Sequence, residues 1–494
     1  MFLIFAKWKR AKMDSYNVKS KVLSGLIWKF AERISAQLVT FIVSIVLARL
    51  LSPSHYGAIA IVNIFIAIAN VFVVSGFGNS LVQKKDADDI DFSSVFYFNL
   101  LLSLGLYIIV FFSAPFIAEF YKMPILSPVL RVMGLRLIVA GINSVQHAYV
   151  SRHMLFRRFF WSTLGGTVAS GVIGIIMAYQ GCGIWALAAQ YMTNTTVDTI
   201  VLWFTVKWRP RLLFSLKRLG SMFSYGWKLL VSALLDTGYN ELRSLVIGKM
   251  YTSSDLAYYN KGASFPNLVV TNVNSSIQSV LFPAMANEQD KRGTVKAMCR
   301  RSIRVSSYIM LPMMAGLALV AEPFIKLLLT EKWLPCVPYL RISCFTLAFI
   351  PIHTANLQAI KAMGRSDIFL KLEIIKKILG ITILICAAPF GVLRIAQSSI
   401  LMTVLSSIIN SYPNKDLLGY NYLDQIKDLF NGILPLSVMS VLVYLSGMIN
   451  IGAFPLLVTQ IIVGIISYVS VSTLTKNDSF LYTLEIVKRF LKRK

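Results

Sequence analysis

Acidic residues are scarce in this 494-residue chain: 22 Asp and Glu stand against 49 Lys and Arg, and only 14% of positions are charged. Soluble domains carry about a quarter charged residues, so a water-exposed globule is excluded. The longest hydrophilic stretches, near 207–228 and 287–304, are loop-sized, which leaves no room for a soluble domain. Cysteine is sparse too. Cys182, Cys299, Cys336, Cys344 and Cys386 form no CxxC pair and sit in or beside apolar segments, so neither a disulfide framework nor a metal site is expected. The four histidines (His55, His147, His153, His353) share no ligand spacing. There is no GxGxxG, GxxxxGK[ST], HExxH or GxSxG pattern. Enzyme signatures are therefore lacking, and there is no phosphate-cradling loop for ATP. Residues 1–6 are too short for the apolar core of a signal peptide, and Met13 fits a start as well as Met1.

What is abundant is apolar sequence. A bilayer core takes about 20 apolar residues per helix, and such stretches recur from 23 to 474. Fourteen helices are expected, near 23–50, 57–79, 93–119, 128–150, 159–180, 183–206, 226–250, 256–284, 302–325, 336–360, 368–389, 391–412, 425–447 and 451–474. The fourth and eighth look the least apolar. The expected class is an all-α polytopic membrane protein of about 14 transmembrane helices.

The net charge of +27 would point to nucleic acid in a soluble protein, but its placement excludes that partner. Basic residues gather in alternate connections: Lys84 and Lys85; Arg152, Arg157 and Arg158; Lys207, Arg209, Arg211, Lys217 and Arg218; Lys291 to Arg301; Arg365 to Lys377; and the segment from Lys488 to Lys494. The opposite connections at 180–183, 388–391 and 446–452 are short and uncharged. This positive-inside ladder sets both termini in the cytoplasm and lays basic loops against anionic lipid.

An internal repeat divides the chain. Trp28-Lys29 and the run Ala48-Arg49-Leu50-Leu51-Ser52-Pro53 have counterparts about 200 residues later, in Trp227-Lys228 and Gly248-Lys249-Met250-Tyr251-Thr252-Ser253. Gly183-Ile184-Trp185-Ala186-Leu187-Ala188 pairs likewise with Gly391-Val392-Leu393-Arg394-Ile395-Ala396. Six helices separate the first repeats, so both halves enter the membrane in one direction. The expected architecture is two pseudo-symmetric six-helix lobes around a central cavity, plus two extra C-terminal helices. The domain boundaries follow: a cytoplasmic tail at 1–22, an N-lobe at 23–206, a linker at 207–225, a C-lobe at 226–412, a loop with the last two helices at 413–474, and a basic tail at 475–494.

Several segments together resemble the polysaccharide transporter family of the multidrug/oligosaccharidyl-lipid/polysaccharide flippase superfamily. They are Ala48-Arg49-Leu50-Leu51-Ser52-Pro53 with Tyr56-Gly57, Leu81-Val82-Gln83-Lys84, Lys207-Trp208-Arg209-Pro210, Tyr225-Gly226-Trp227-Lys228, Leu281-Phe282-Pro283-Ala284, Glu331-Lys332-Trp333-Leu334-Pro335 and Gly364-Arg365-Ser366-Asp367. The resemblance runs from about 23 to 422. It implies a flippase of the bacterial inner membrane that moves undecaprenyl-diphosphate-linked oligosaccharide repeat units by alternating access, for O-antigen, capsule or exopolysaccharide. Its partners would be that lipid-linked oligosaccharide, membrane lipids, and the polymerase and chain-length regulator of the pathway.

Charges at mid-bilayer are costly and mark wet or paired sites. In the first helix Lys29, Arg33, Gln37 and Thr40 form one stripe, flanked by Glu32. In the seventh, Asp236, Tyr239, Asn240 and Arg243 do the same, with Glu241 beside them; in the eighth, Asn260, Asn267, Thr271, Asn274 and Gln278 line up, with Lys261 near one end and a kink expected at Pro266. Arg33, Arg243, Lys29 and Lys261 suit a diphosphate, Gln37, Asn240, Asn267 and Asn274 suit sugar hydroxyls, and Asp236, Glu241 or Glu32 could carry a coupling proton or sodium ion. No cofactor is expected beyond such an ion gradient. Structural roles compete: Lys29 snorkels, Arg33 pairs with Glu32, Arg243 pairs with Glu241 or Asp236, and the asparagines join helices. A drug/cation antiporter would favour an acidic, aromatic cavity, and a polysaccharide polymerase a large outer loop. Neither is seen here.

Overall fold

The structure is a computed structural model. It describes the backbone of residues 2–492 and side chains from 24 to 488, apart from 26, 225, 486 and 487. No strand occurs among the described residues. The chain divides into two compact units, Met1–Ser254 and Asp255–Lys494. The first contains α1 (Phe2–Leu50), α2 (Pro53–Val74), α3 (Phe77–Gln83), α4 (Asp89–Phe120), α5 (Leu126–Arg152), α6 (Phe156–Tyr179), α7 (Ile184–Thr205) and α8 (Leu216–Met250). The second is built from α9 (Ser253–Asn287), α10 (Arg292–Leu319), α11 (Ala321–Leu329), a 3-10 turn (Glu331–Cys336), α12 (Val337–Ala348), α13 (Ile350–Ala362), α14 (Ser366–Ala387), α15 (Val392–Leu418), α16 (Tyr422–Leu429), α17 (Ile433–Ser446), α18 (Ala453–Leu474) and α19 (Asp478–Lys492).

Each of the fourteen expected spans coincides with a helix or a broken helix. Among the described residues, nine are apolar enough to cross a bilayer by composition, and ten if α16 and α17, bent by 48°, count as one. The other four, α7, α8, α9 and α14, have 22 to 35 residues, or at least about 33 Å of helix, but carry too many polar groups to pass. The expectation about the fourth helix is corrected here: α5 passes as a span, and α7, α8 and α14 join the eighth helix as the polar ones. The tenth expected helix is broken into α12 and α13 before Pro351, a residue with no amide hydrogen to continue the ladder. Helix α9 runs unbroken through Pro266 and Pro283. The basic N-terminal segment is the start of α1, and residues 478–492 of the C-terminal segment form α19.

The outer surfaces of both units are apolar. Phe112, Phe116, Ile176 and Phe204 in the first unit and Ile385, Phe454, Ile465 and Ile466 in the second are half or more exposed. In water this would be an aggregating surface; against lipid tails it is the expected one. The chain is a multi-pass membrane protein.

In the first unit α6 packs on α1 and α7, α5 on α2, α4 and α7, and α8 on α2, α3 and α4. The repeat in the sequence sets the helix at 226–250 at the head of the second lobe, whereas by packing it lies in the first unit. Close approach at Tyr56-Gly57 explains that motif: a Cβ on Gly57 would fall 1.7 Å from the Ser253 carbonyl oxygen. Of the expected linker at 207–225, residues 207–215 are a docked strap and the rest is the start of α8. Trp208 is buried against Phe92 (ring centroids 5.7 Å) and its carbonyl accepts from Gln146 Nε2 at 3.2 Å. The backbone amides of Arg211 and Ser215 donate to the Ser93 and Ser94 hydroxyls. Asp88 caps α4 in a reciprocal capping box with Asp91 and accepts from Arg218 Nη1 at 2.5 Å. That hydrogen bond is the main reason the Asp88 carboxyl is held below the usual carboxylate range, with backbone donors at Ile90 and Asp91 adding to it against slight burial. Lys84 meets Asp91 at 2.7 Å, and Arg152 donates to the carbonyls of Leu81, Lys84 and Lys85 where α3 ends. Much of the basic ladder therefore also clamps helix ends.

In the second unit α10 packs on α12, α13, α16 and α17, and α15 on α13 and α14. Asp428 of α16 accepts from Arg300 Nε (2.7 Å), Arg304 Nε and the Tyr420 hydroxyl (2.6 Å). Asn356 Nδ2 donates to Gln425 Oε1 at 2.6 Å, Ser411 Oγ to the same oxygen at 2.8 Å, and Asn414 Nδ2 to Asn356 Oδ1 at 2.6 Å. All four are buried.

Candidate functional site

Polar residues inside a lipid-facing fold need partners or water, and in the first unit one set of them lines open space. Helix α5 places Arg136, Ala140, Asn143 and His147 at i, i+4, i+7 and i+11, a single stripe about 16 Å long. Helix α2 answers with Asn63, Ala67 and Asn70, and α7 with Tyr191, Asn194, Thr195 and Asp198. Between them lie two adjoining cavities of about 430 and 320 Å³ that share Asn70, Ala140 and Thr195. Helix α7 is itself held close against α6 through a small residue: a Cβ on Gly166 would lie 2.9 Å from the Asn194 carbonyl.

Two charged centres sit in this cleft. Arg136 Nε donates to Thr195 Oγ1 at 3.2 Å and Nη1 to Asn63 Oδ1 at 3.3 Å, with the guanidinium carbon 5.2 Å from the Tyr191 ring centroid. Asp198 Oδ2 accepts from Asn143 Nδ2 at 2.8 Å and stands 3.1 Å from His147 Nε2, whose ring packs on Phe159. A half-buried carboxylate held by an amide and an imidazole, with a guanidinium two to three turns along the same helix face, can bind a charged group and exchange a proton.

Helix α1 borders the cleft through α6. Lys29 Nζ pairs with Glu32 Oε2 at 2.9 Å and lies 5.1 Å from the Phe159 ring, and Glu32 Oε1 accepts from Thr163, a cleft residue, at 3.1 Å. Of the two partners considered for Glu32, Lys29 is thus engaged. Arg33 is exposed and Gln37 half-buried on the same helix. In α8, Asp236 and Asn240 are exposed while Glu241 and Arg243 are half-buried. No ion pair joins Arg243 to Glu241 or Asp236 among the described residues, and for the first of these the i, i+2 spacing accounts for it by turning the two side chains apart.

The α9 stripe is divided in its contacts. Lys261 is only 8% exposed, its Nζ 5.7 Å from the Trp333 ring and 5.9 Å from that of Phe265. Asn267 is exposed but donates to its own helix, at the Ala263 carbonyl. Asn274 Oδ1 accepts from the Thr354 hydroxyl. The α2/α5/α7 cleft was missed in the sequence because its amides are interspersed among apolar residues. The 3.6-residue stripe from Arg136 to His147 was the available signal.

The fold is that of a polytopic α-helical membrane protein. It superposes on the lipid II flippase MurJ in its inward closed conformation with a TM-score of 0.75 at 15% identity, covering 92% of this chain and 99% of that one. A family model described as polysaccharide biosynthesis protein matches residues 46–338, more than half the chain, and the chain belongs to that family. It is 23% identical over 423 residues to the lipopolysaccharide biosynthesis protein WzxC of Escherichia coli K12, covering 84% of this chain and 85% of that protein. To the succinoglycan biosynthesis transport protein ExoT of Rhizobium meliloti it is 26% identical over 345 residues, 69% of each.

Proposed function

We propose that this chain is a flippase that carries lipid-linked oligosaccharide precursors of a surface polysaccharide across the bacterial inner membrane by alternating access. The observation that carries the reading is a polar, charged cleft, open among the spans of a polysaccharide biosynthesis family member whose relatives include one named as a transport protein. The saccharide and the diphosphate are the polar parts of such a cargo, and amides, hydroxyls and a guanidinium are groups that recognise them. Lys29, Arg33, Arg243 and Lys261 are the cations assigned to the diphosphate, with Gln37, Asn240, Asn267 and Asn274 assigned to the saccharide. Asp236, Glu241 and Glu32 are assigned to a coupling proton or sodium ion. Both termini are placed in the cytoplasm on the strength of the basic ladder, with a polymerase and a chain-length regulator as partners. The domain plan of two pseudo-symmetric six-helix lobes belongs to the same proposal.

The test is deletion of the gene in its own host. Lipid-linked repeat units should accumulate on the cytoplasmic face and the surface polymer should disappear, with unaltered sensitivity to cationic drugs. Normal polymer in a deletion strain that holds no second flippase would rule the reading out.

A further inference from the structure

The first unit holds a cation that its own fold does not neutralise. Among the described residues no carboxylate reaches Arg136, and its two hydrogen bonds go to neutral oxygens, on Thr195 and Asn63. A guanidinium is a pure donor, so the Nη2 amino group and one Nη1 hydrogen remain for another partner. A charge held this way within a membrane is costly unless something pairs with it. Asn70 lines the same cavity and Asn194 the adjoining one, and their side-chain amides make no hydrogen bond among the described residues. Tyr191 closes one wall with its ring 5.2 Å from the guanidinium carbon. The cavity at Arg136, about 320 Å³, is at the small end of ligand sites.

We propose that this cleft seats an acidic sugar of the transported saccharide, a ring bearing a single carboxylate such as a hexuronate. The carboxylate pairs with Arg136, the hydroxyls with Asn70 and Asn194, and the apolar ring face with Tyr191. One guanidinium matches one negative charge and can hold both carboxylate oxygens. A diphosphate matches poorly. It brings at least two negative charges to a cleft with one unpaired cation, and the Asp198 carboxylate further along repels it. The proposal rests on the flippase reading, since it takes the saccharide to be the cargo.

Two measurements separate the ideas. The first uses the full chain in nanodiscs and saturation-transfer NMR with methyl glucuronide, methyl glucoside and pyrophosphate as probes. The glucuronide should bind at least tenfold better than the glucoside. Arg136→Gln should remove that preference, and Arg136→Lys should restore part of it, because charge returns without the fork. Equal binding of the two glycosides, an undiminished preference in Arg136→Gln, or displacement of the glucuronide by pyrophosphate at lower concentration would each overturn the proposal. If Arg136→Gln does not reach the membrane, Asn70→Leu and Asn194→Leu carry the test, since neither amide has an internal partner. Each should weaken glucuronide binding severalfold, and undiminished binding in both would overturn the proposal. The second measurement is export, in strains lacking their own flippase, of an acidic and a neutral repeat unit. Arg136→Gln should lower the ratio of acidic to neutral export more than tenfold. An unchanged ratio overturns the seat and leaves the flippase reading standing. Export of neither cargo by the unaltered chain overturns the flippase reading, and the glycoside measurement still decides the seat.

Discussion

Two sites, one in each unit, use polar side chains in opposite ways. In the second unit polar groups close on one another: Asn356, Ser411, Asn414 and Gln425 form a buried network, and two arginines and a tyrosine hold Asp428. In the first, Arg136, Asn70 and Asn194 face a cleft with donors left over. A closed network specifies packing, because removing one member strands the others in a low dielectric. An open set leaves affinity for something that arrives from outside. The same residue types therefore hold a fold together in one unit and stand ready for a ligand in the other.

The sharpest way to break this comparison is at Asp428. Asp428→Asn leaves two guanidiniums facing each other without their carboxylate. Full burial would cost about 3–5 kcal/mol, and since Arg300 is half exposed the expected loss is nearer ~2 kcal/mol. Thermal unfolding in detergent should register it as a clear drop in midpoint, and an unchanged midpoint would mean the clamp is not structural. Next in size is a matched pair of substitutions. Asn356→Leu strands Gln425 and Asn414 and should cost about 1–3 kcal/mol. Asn70→Leu removes an amide with no internal partner and should stay within about 0.5 kcal/mol of the parent while polymer export falls. Equal destabilisation by the two would erase the distinction between the two sites. The smallest effect concerns pH. Asp88 has its carboxyl held low in the folded chain, first by Arg218, so its contribution is fully present above the unfolded value near ~3.9 and is lost as pH falls through the folded one. Asp88→Asn should flatten the acid limb of the stability profile below about pH 4 and leave neutral pH little changed, because the pair is exposed and screened.

The count of membrane helices was legible from the sequence even where composition fell short. Helices α7, α8, α9 and α14 are too polar to register as spans, yet the alternation of basic and uncharged connections requires them. Pairings were less legible. Lys29 stands three residues before Glu32 and Arg33 directly after it, so helical spacing favours the ion pair with Lys29, and what the sequence did not show is the hold that Thr163 of α6 has on the other carboxylate oxygen. The α9 asparagines formed as clean a stripe as any, but Asn267 is turned onto its own backbone and Asn274 onto Thr354. The stretch at 207–225 reads as a hydrophilic linker because its aromatic anchor, Trp208, is a single residue among cations, and only the pocket around Phe92 and Tyr149 shows its first part to be docked.

What the sequence by itself determined is class and count: a chain so poor in acidic residues and so rich in repeated apolar stretches has to satisfy its backbone in helices and its side chains in lipid. Which polar groups are consumed and which stay available only the tertiary structure decided. A helical stripe says that residues share a face, whereas availability depends on the neighbouring helix. Across from Arg136 that neighbour offers only neutral oxygens, and across from Asp428 it offers two guanidiniums.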